Sequence, residues 1–300
     1  MAADNRAPSH MRTGLFYAII TYLMWGMLPL YFNLMADASP VEIVASRVVF
    51  SLIFCAALLP MLKLTGGFVE GLRNRRATLV LFAASLLIGV NWFIYVLATT
   101  TGRTIDASLG YFINPLVSVS LGVIFLKERL RVAQWVAVGL SAVAVLIMSV
   151  VYGQVPFIGL GLAFSFGIYG LLKSRVGGTV APVVSLSLET LLLIPVALLA
   201  LVWVQGTGQS TMFTAPGRFL LLASTGVVTL TVIGMVQYVG PSIQFFLAVF
   251  VLKDHIGAEK WLGLSIIWVA LVIFTADAVR ASRTSRLSRT ADPETGMVPI

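Results

Sequence analysis

Three charged residues fall inside long apolar runs: Glu42 and Arg47 near the start of one, and Glu189 toward the middle of another. A charge at membrane depth is costly and is kept for a solute path, a pairing or a proton relay. On helices entering from opposite faces, Arg47 sits ~10 Å below the outer face and Glu189 ~12 Å above the inner one, at ~1.5 Å per residue. The remaining ~8 Å of a ~30 Å core is within an arginine's reach, which predicts an Arg47–Glu189 pair or a shared central cavity. The alternative is that Glu42 and Arg47 form a rim anchor, with Arg47 snorkelling outward. Asn91, Tyr95, Tyr111 and Asn114 are polar groups on two further apolar runs, and Gln237 and Tyr238 stand beside Gly240-Pro241. Pro115 and Pro241 are expected to break their helices at corresponding places. Paired breaks point to a transport site, because freed carbonyls are tolerated only in protein or beside water.

Catalytic patterns are missing from the sequence. Asp106 has no aspartate partner in an apolar run, and His10 and His255 both lie outside the spans, so neither a paired-Asp site nor H-E-x-x-H can form. Cys55 is the single cysteine, which excludes a disulfide framework and a thiolate metal site. Neither G-x-x-x-x-G-K-[ST] nor a Walker B partner occurs, so nucleotide-driven pumping is not expected. No cofactor, metal, nucleotide or nucleic acid is expected. A driving force would be an ion or proton gradient, or the solute's own; Glu42 and Glu189 are the carboxylates deep enough to couple protons.

The elements that must position these residues are read from composition. Of 300 residues, 59% are hydrophobic and 11% charged, with mean hydropathy +0.98. Soluble domains carry about 25% charged residues, so the chain is read as an integral membrane protein in a lipid bilayer. Spans of about 20 apolar residues are expected at 15–35, 41–62, 78–98, 108–126, 133–151, 156–172, 181–204 and 261–276. Trp25, Trp92, Trp135 and Trp261 are read as interfacial belts. Gly159, Gly161, Gly167 and Gly170 are read as allowing close helix packing. With ten segments and the N-terminus inside, fifteen Lys and Arg fall inside against four outside (Arg103, Arg218, Lys253, Lys260), which puts both termini in the cytoplasm.

An internal repeat organises the chain. Pro115 aligned with Pro241 places Leu121, Val123, Leu126, Lys127, Glu128 and Trp135 on Leu247, Val249, Leu252, Lys253, Asp254 and Trp261, an offset of 126. Five helices per half make the second half insert upside down, the architecture of a small secondary transporter. The expected layout is a cytoplasmic N-terminus at 1–12, halves at 13–151 and 152–278, and a polar, disordered cytoplasmic tail at 279–300. Gly26 matches Gly167 at offset 141 and Ala84-Ser85 match Ala223-Ser224 at 139, so 13–15 residues of the first half lack a counterpart near Thr229–Gly234. The 34 residues of Phe219–Leu252 reach ~51 Å at ~1.5 Å per residue, short of two ~30 Å crossings. Length favours one crossing and charge favours two.

The run Asn91-Trp92…Tyr95…Gly102-Arg103…Asp106-Ala-Ser-Leu-Gly-Tyr-Phe-Ile-Asn-Pro-Leu116 resembles the RarD family of EamA-type proteins, in the drug/metabolite transporter superfamily. Trp25–Tyr31, Glu42-Ile…Arg47, Phe164–Gly170, Leu188–Leu191, Gln237-Tyr238…Pro241 and Lys253–Trp261 extend the resemblance over residues 13–278. It implies ten helices in two inverted halves and transport of a small organic solute across a bacterial inner membrane. The chain departs from the pattern where Thr229 runs directly into Leu230-Thr231, and at Ser46, where a histidine is expected. The expectation is thus an all-α polytopic membrane protein that exports a small metabolite or drug-like solute by alternating access. The alternative is an inactive homologue or membrane scaffold, and a membrane enzyme is a distant third. Oligomeric state is open.

Overall fold

The computed structural model describes residues 23–127, 129–151, 155–176, 181–230, 239–253, 261–274 and 276–277; Gln237 and Tyr238 lie outside them. Every regular element among the described residues is a helix, and the chain is an all-α polytopic membrane protein. In chain order they are α1 (Leu28–Asn33), α2 (Pro40–Met61), α3 (Thr65–Arg73), α4 (Arg75–Thr100), α5 (Thr104–Leu126), α6 (Val132–Val151), α7 (Phe157–Ser174), α8 (Pro182–Gly206), α9 (Pro216–Leu230), α10 (Val239–Phe250) and α11 (Trp261–Phe274). Helices α2, α4, α5, α7 and α8 are long and apolar enough to cross a bilayer. Their outward faces carry bare large side chains such as Ile53, Leu79, Phe164 and Leu199, as lipid contact requires.

Local chemistry sets the helix starts. Ser39 accepts from Val41 N at 3.2 Å, and Pro40 supplies the fixed φ of a first helical residue. Asn74 Oδ1 accepts from Ala77 N at 3.1 Å and starts α4, and Pro182 starts α8. Helix α3 was not expected: the basic connection after α2 contains a short helix that packs against the start of α8, Gly71 lying against Leu188.

The chain forms two compact units. The first, residues 1–121 and 157–256, holds α1 to α4, most of α5, and α7 to α10. Within it α2 packs on α8 and α9, and α4 packs on α7 and α8. Ser51 Oγ donates to Gly226 O at 3.2 Å, fastening α9 to α2. Gly159 backs onto Gly110 so closely that a Cβ on Gly110 would stand 2.7 Å from the Gly159 carbonyl oxygen. Gly161 and Gly167 also face close neighbours, Ile94 and Leu121, whereas Gly170 has open space around it. The second unit, residues 122–156 and 257–300, holds α6 and α11; Arg131 Nε meets Asp277 Oδ2 at 3.3 Å inside it.

One expectation is corrected. Pro115 does not break its helix: α5 runs from Thr104 to Leu126 with the proline inside it. Neighbouring helices compensate locally for the hydrogen bond a proline cannot donate. Pro241 lies in α10, and the residues before that helix, 231–238, lie outside the described residues. Within 219–252 the described residues up to 250 belong to α9 and α10.

Candidate functional site

The first unit brings most of the expected polar residues into one cluster. Arg47 lies two turns into α2, 5% exposed, with its guanidinium carbon 4.3 Å from the centroid of the Trp92 ring on α4. Tyr31, Tyr95 and Tyr111, from α1, α4 and α5, lie within electrostatic reach of that charge. Their rings form a continuous wall: Tyr95 to Tyr111 at 5.6 Å, Phe32 to Tyr95 at 6.0 Å and Trp25 to Tyr111 at 5.8 Å. A guanidinium held over an indole face is stabilised electrostatically, which is how a cation survives burial among aromatic groups.

Asn91 sits one turn before Tyr95 and ties the cluster to α7. Its Nδ2 donates to Leu162 O and Ser165 Oγ, both at 3.0 Å, and the Tyr111 hydroxyl approaches its Oδ1 at 3.5 Å. Tyr31 OH donates to Leu221 O at 3.2 Å and shares a 2.6 Å hydrogen bond with Ser224 Oγ, joining α1 to α9. Gln244 of α10 donates to Trp25 O at 3.0 Å. Buried polar groups are nearly always satisfied, and a few here are not. The Tyr95 hydroxyl, Asn114 Nδ2, Ser46 Oγ and Gln244 Oε1 are buried without a hydrogen-bond partner among the described residues. Gln244 carried no sequence signal beyond its polarity in an apolar run.

Glu42 and Glu189 are engaged elsewhere. The Glu42 carboxylate, fully buried, accepts from Ser210 Oγ at 2.7 Å, Thr211 Oγ1 at 2.9 Å, Thr211 N at 3.0 Å and Met212 N at 3.1 Å. It clasps the connection between α8 and α9 onto the start of α2. The expected Arg47–Glu189 pair is not formed. Glu189 Oε1 instead receives Lys173 Nζ at 2.5 Å and Ser185 Oγ at 2.9 Å, and Oε2 receives the Tyr169 hydroxyl at 3.0 Å. The reason is proximity along the chain. Lys173 ends α7 and Glu189 lies two turns into α8, so a short connection delivers the cation before Arg47 could reach. Trp92 is also corrected, from a belt residue to the platform beneath Arg47; Trp135 and Trp261 are exposed, 55% and 41%. Asp106 pairs with Arg103 Nε at 2.9 Å on the first turn of α5.

No group of three metal-ligating side chains occurs among the described residues. The described residues thus combine apolar helices long enough to cross a bilayer with a buried cation, an aromatic wall and unsatisfied buried donors, a combination compatible with a small-solute carrier. Residues 12–150 match the EamA-like transporter family. The protein RarD of Streptomyces exfoliatus is 43% identical over 94% of both chains. An uncharacterized transporter of Vibrio cholerae is 38% identical, covering 93% of this chain and 97% of its own, and the uncharacterized transporter YojE of Bacillus subtilis is 37% identical, covering 92% and 97%. The chain belongs to the RarD family of EamA-like transporters, and is a membrane transporter of the drug/metabolite transporter superfamily acting on a small solute. A solved crystal structure superposes on 87% of this chain and 96% of its own with TM-score 0.55 at 16% identity, a likeness of fold alone. The S. exfoliatus alignment spans 297 positions yet takes in 94% of 300 residues, about 282, so about 15 positions of that relative face no residue here. That matches in size the 13–15 residues missing from the internal repeat.

Proposed function

We propose that the chain exports a small organic metabolite or drug-like solute across a bacterial inner membrane, by alternating access in two inverted halves, 13–151 and 152–278. The observation that carries this reading is the Arg47 cluster. It is built by α1, α2, α4 and α5 of the first half, closed by α7, α9 and α10 of the second, and retains unsatisfied polar atoms at its centre. Arg47, Asn91, Tyr95, Tyr111 and Asn114 line the solute path, with Gln237 and Tyr238 assigned to it from sequence. Glu42 and Glu189 flank the path as a clasp and a lock, and protons are the coupling ion proposed for Glu189. Both termini are cytoplasmic in this reading. Arg73, Lys173 and Arg175 support it, since the end of α2, α3 and the start of α8 share one end of the unit.

The test is comparative metabolite analysis of the medium around cells expressing the chain or its Arg47→Met variant at equal membrane abundance. At least one solute should accumulate outside with the native chain and fall to background with the variant. Identical media would end the proposal. A second reading, an inactive relative, is favoured by the shortfall of about 15 positions against RarD relatives. Restoring those positions from a relative separates the two: export should then appear only in the lengthened chain.

A further inference from the structure

Taking the Arg47 cluster as the solute site, as proposed above, we infer that its solute carries an anionic oxygen group on a flat apolar body. The anionic end is held by Arg47, Tyr95 and Asn114. Two observations independent of Arg47 point the same way. The Tyr95 hydroxyl and Asn114 Nδ2 are donors, 3% and 0% exposed by residue, and neither has an acceptor among the described residues. Asn114 lies one turn beyond Tyr111 on α5, and Tyr111 packs against Tyr95, so the two donors border the same aromatic wall. Leaving a buried donor unsatisfied is unfavourable unless a ligand supplies the acceptor.

The charge balance narrows the class. The three buried carboxylates among the described residues of this unit are engaged: Glu42 by the 210–212 connection, Glu189 by Lys173, Tyr169 and Ser185, and Asp106 by Arg103. A cationic solute would meet the Arg47 guanidinium with no carboxylate offered to it. A carboxylate, sulfonate or phosphate presents the acceptor geometry that a guanidinium and two neutral donors complement. The walls formed by Trp25, Phe32, Tyr95 and Tyr111 suit a planar or aromatic body.

The test uses the purified full chain and three probes with one body: 3-phenylpropionate, 3-phenylpropionamide and 3-phenylpropylammonium, titrated by calorimetry. The acid should bind at least tenfold more tightly than the amide, and the ammonium should not compete. Tyr95→Phe should weaken the acid about tenfold, as expected for one hydrogen bond to a charged group, and leave the amide unchanged. Arg47→Met should erase the preference, and Arg47→Lys should keep it at reduced affinity. The two conservative variants guard against misfolding in Arg47→Met. If the amide or the ammonium binds as well as the acid, the anionic class is wrong while the site stands. If no probe binds, or the acid ignores both Arg47→Met and Tyr95→Phe, the site assignment fails and this inference falls with it.

Discussion

Removing Lys173 should destabilise the fold far more than removing the charge of Glu189. Lys173 Nζ lies 2.5 Å from Glu189 Oε1, and their side chains are 28% and 3% exposed. Breaking a fully buried pair costs about 3–5 kcal/mol, because one charge is stranded. In Lys173→Met the stranded group is the deeply buried carboxylate, which keeps the Tyr169 and Ser185 hydroxyls, so the expected loss is about 2–3 kcal/mol. In Glu189→Gln the stranded ammonium is part-exposed, can extend toward water and retains Tyr169 OH at 2.9 Å, so about 1 kcal/mol is expected. The double variant strands neither charge and should lie within about 1 kcal/mol of the native chain. Reversible unfolding in mixed micelles, followed by helical circular dichroism, measures all four proteins. Equal single losses, or a double loss that is their sum, would refute the lock.

Glu42→Gln presents an amide N–H₂ where Thr211 N and Met212 N already donate, and should cost about 2 kcal/mol. A cysteine at Gln209 should then react faster with a membrane-impermeant maleimide, and an unchanged rate would mean the clasp holds nothing. Tyr95→Phe removes an unsatisfied hydroxyl, so it should leave stability equal or raise it by up to about 1 kcal/mol while lowering export, a split a purely structural tyrosine would not give. Gly110→Ala drives a Cβ into the backbone of Gly159 and should cost about 1–3 kcal/mol or more in the same unfolding assay.

The spans were legible because their ends carry readable chemistry. Ser39-Pro40, Asn74 and Pro182 start α2, α4 and α8 close to where the apolar runs begin. The cluster was legible residue by residue, from polarity in an apolar context, but its pairings were not. Tyr169 with Lys173, and Ser185 with Glu189, are both four residues apart, so the lock had a helical signature. Counting Lys173 among the inner-loop charges concealed it. The clasp had no signature at all: Glu42 and Ser210 are 168 residues apart, and only packing brings them together. Helix α3 was hidden among basic residues that hydropathy assigns to a loop.

Lys63, Lys127 and Lys253 share a left-handed backbone, with φ of 56°, 57° and 55°. Each lies just past the end of a helix: Lys63 two residues beyond α2, at the position glycine usually occupies, Lys127 one beyond α5 and Lys253 three beyond α10. A side chain there is disfavoured by about 1–2 kcal/mol, offset in part by a cation beside a helix C-terminus. Lys127 and Lys253 are also the lysines matched by the internal repeat, so in an inverted arrangement they stand on opposite faces of the membrane with one local geometry. What they serve is helix termination, which is indifferent to the side of the bilayer. These three lysines are therefore stop signals that happen to be basic, and they carry no vote on orientation. Setting them aside changes the expected count from fifteen inside against four outside to thirteen against three, so the asymmetry proposed for the chain does not depend on these stop signals.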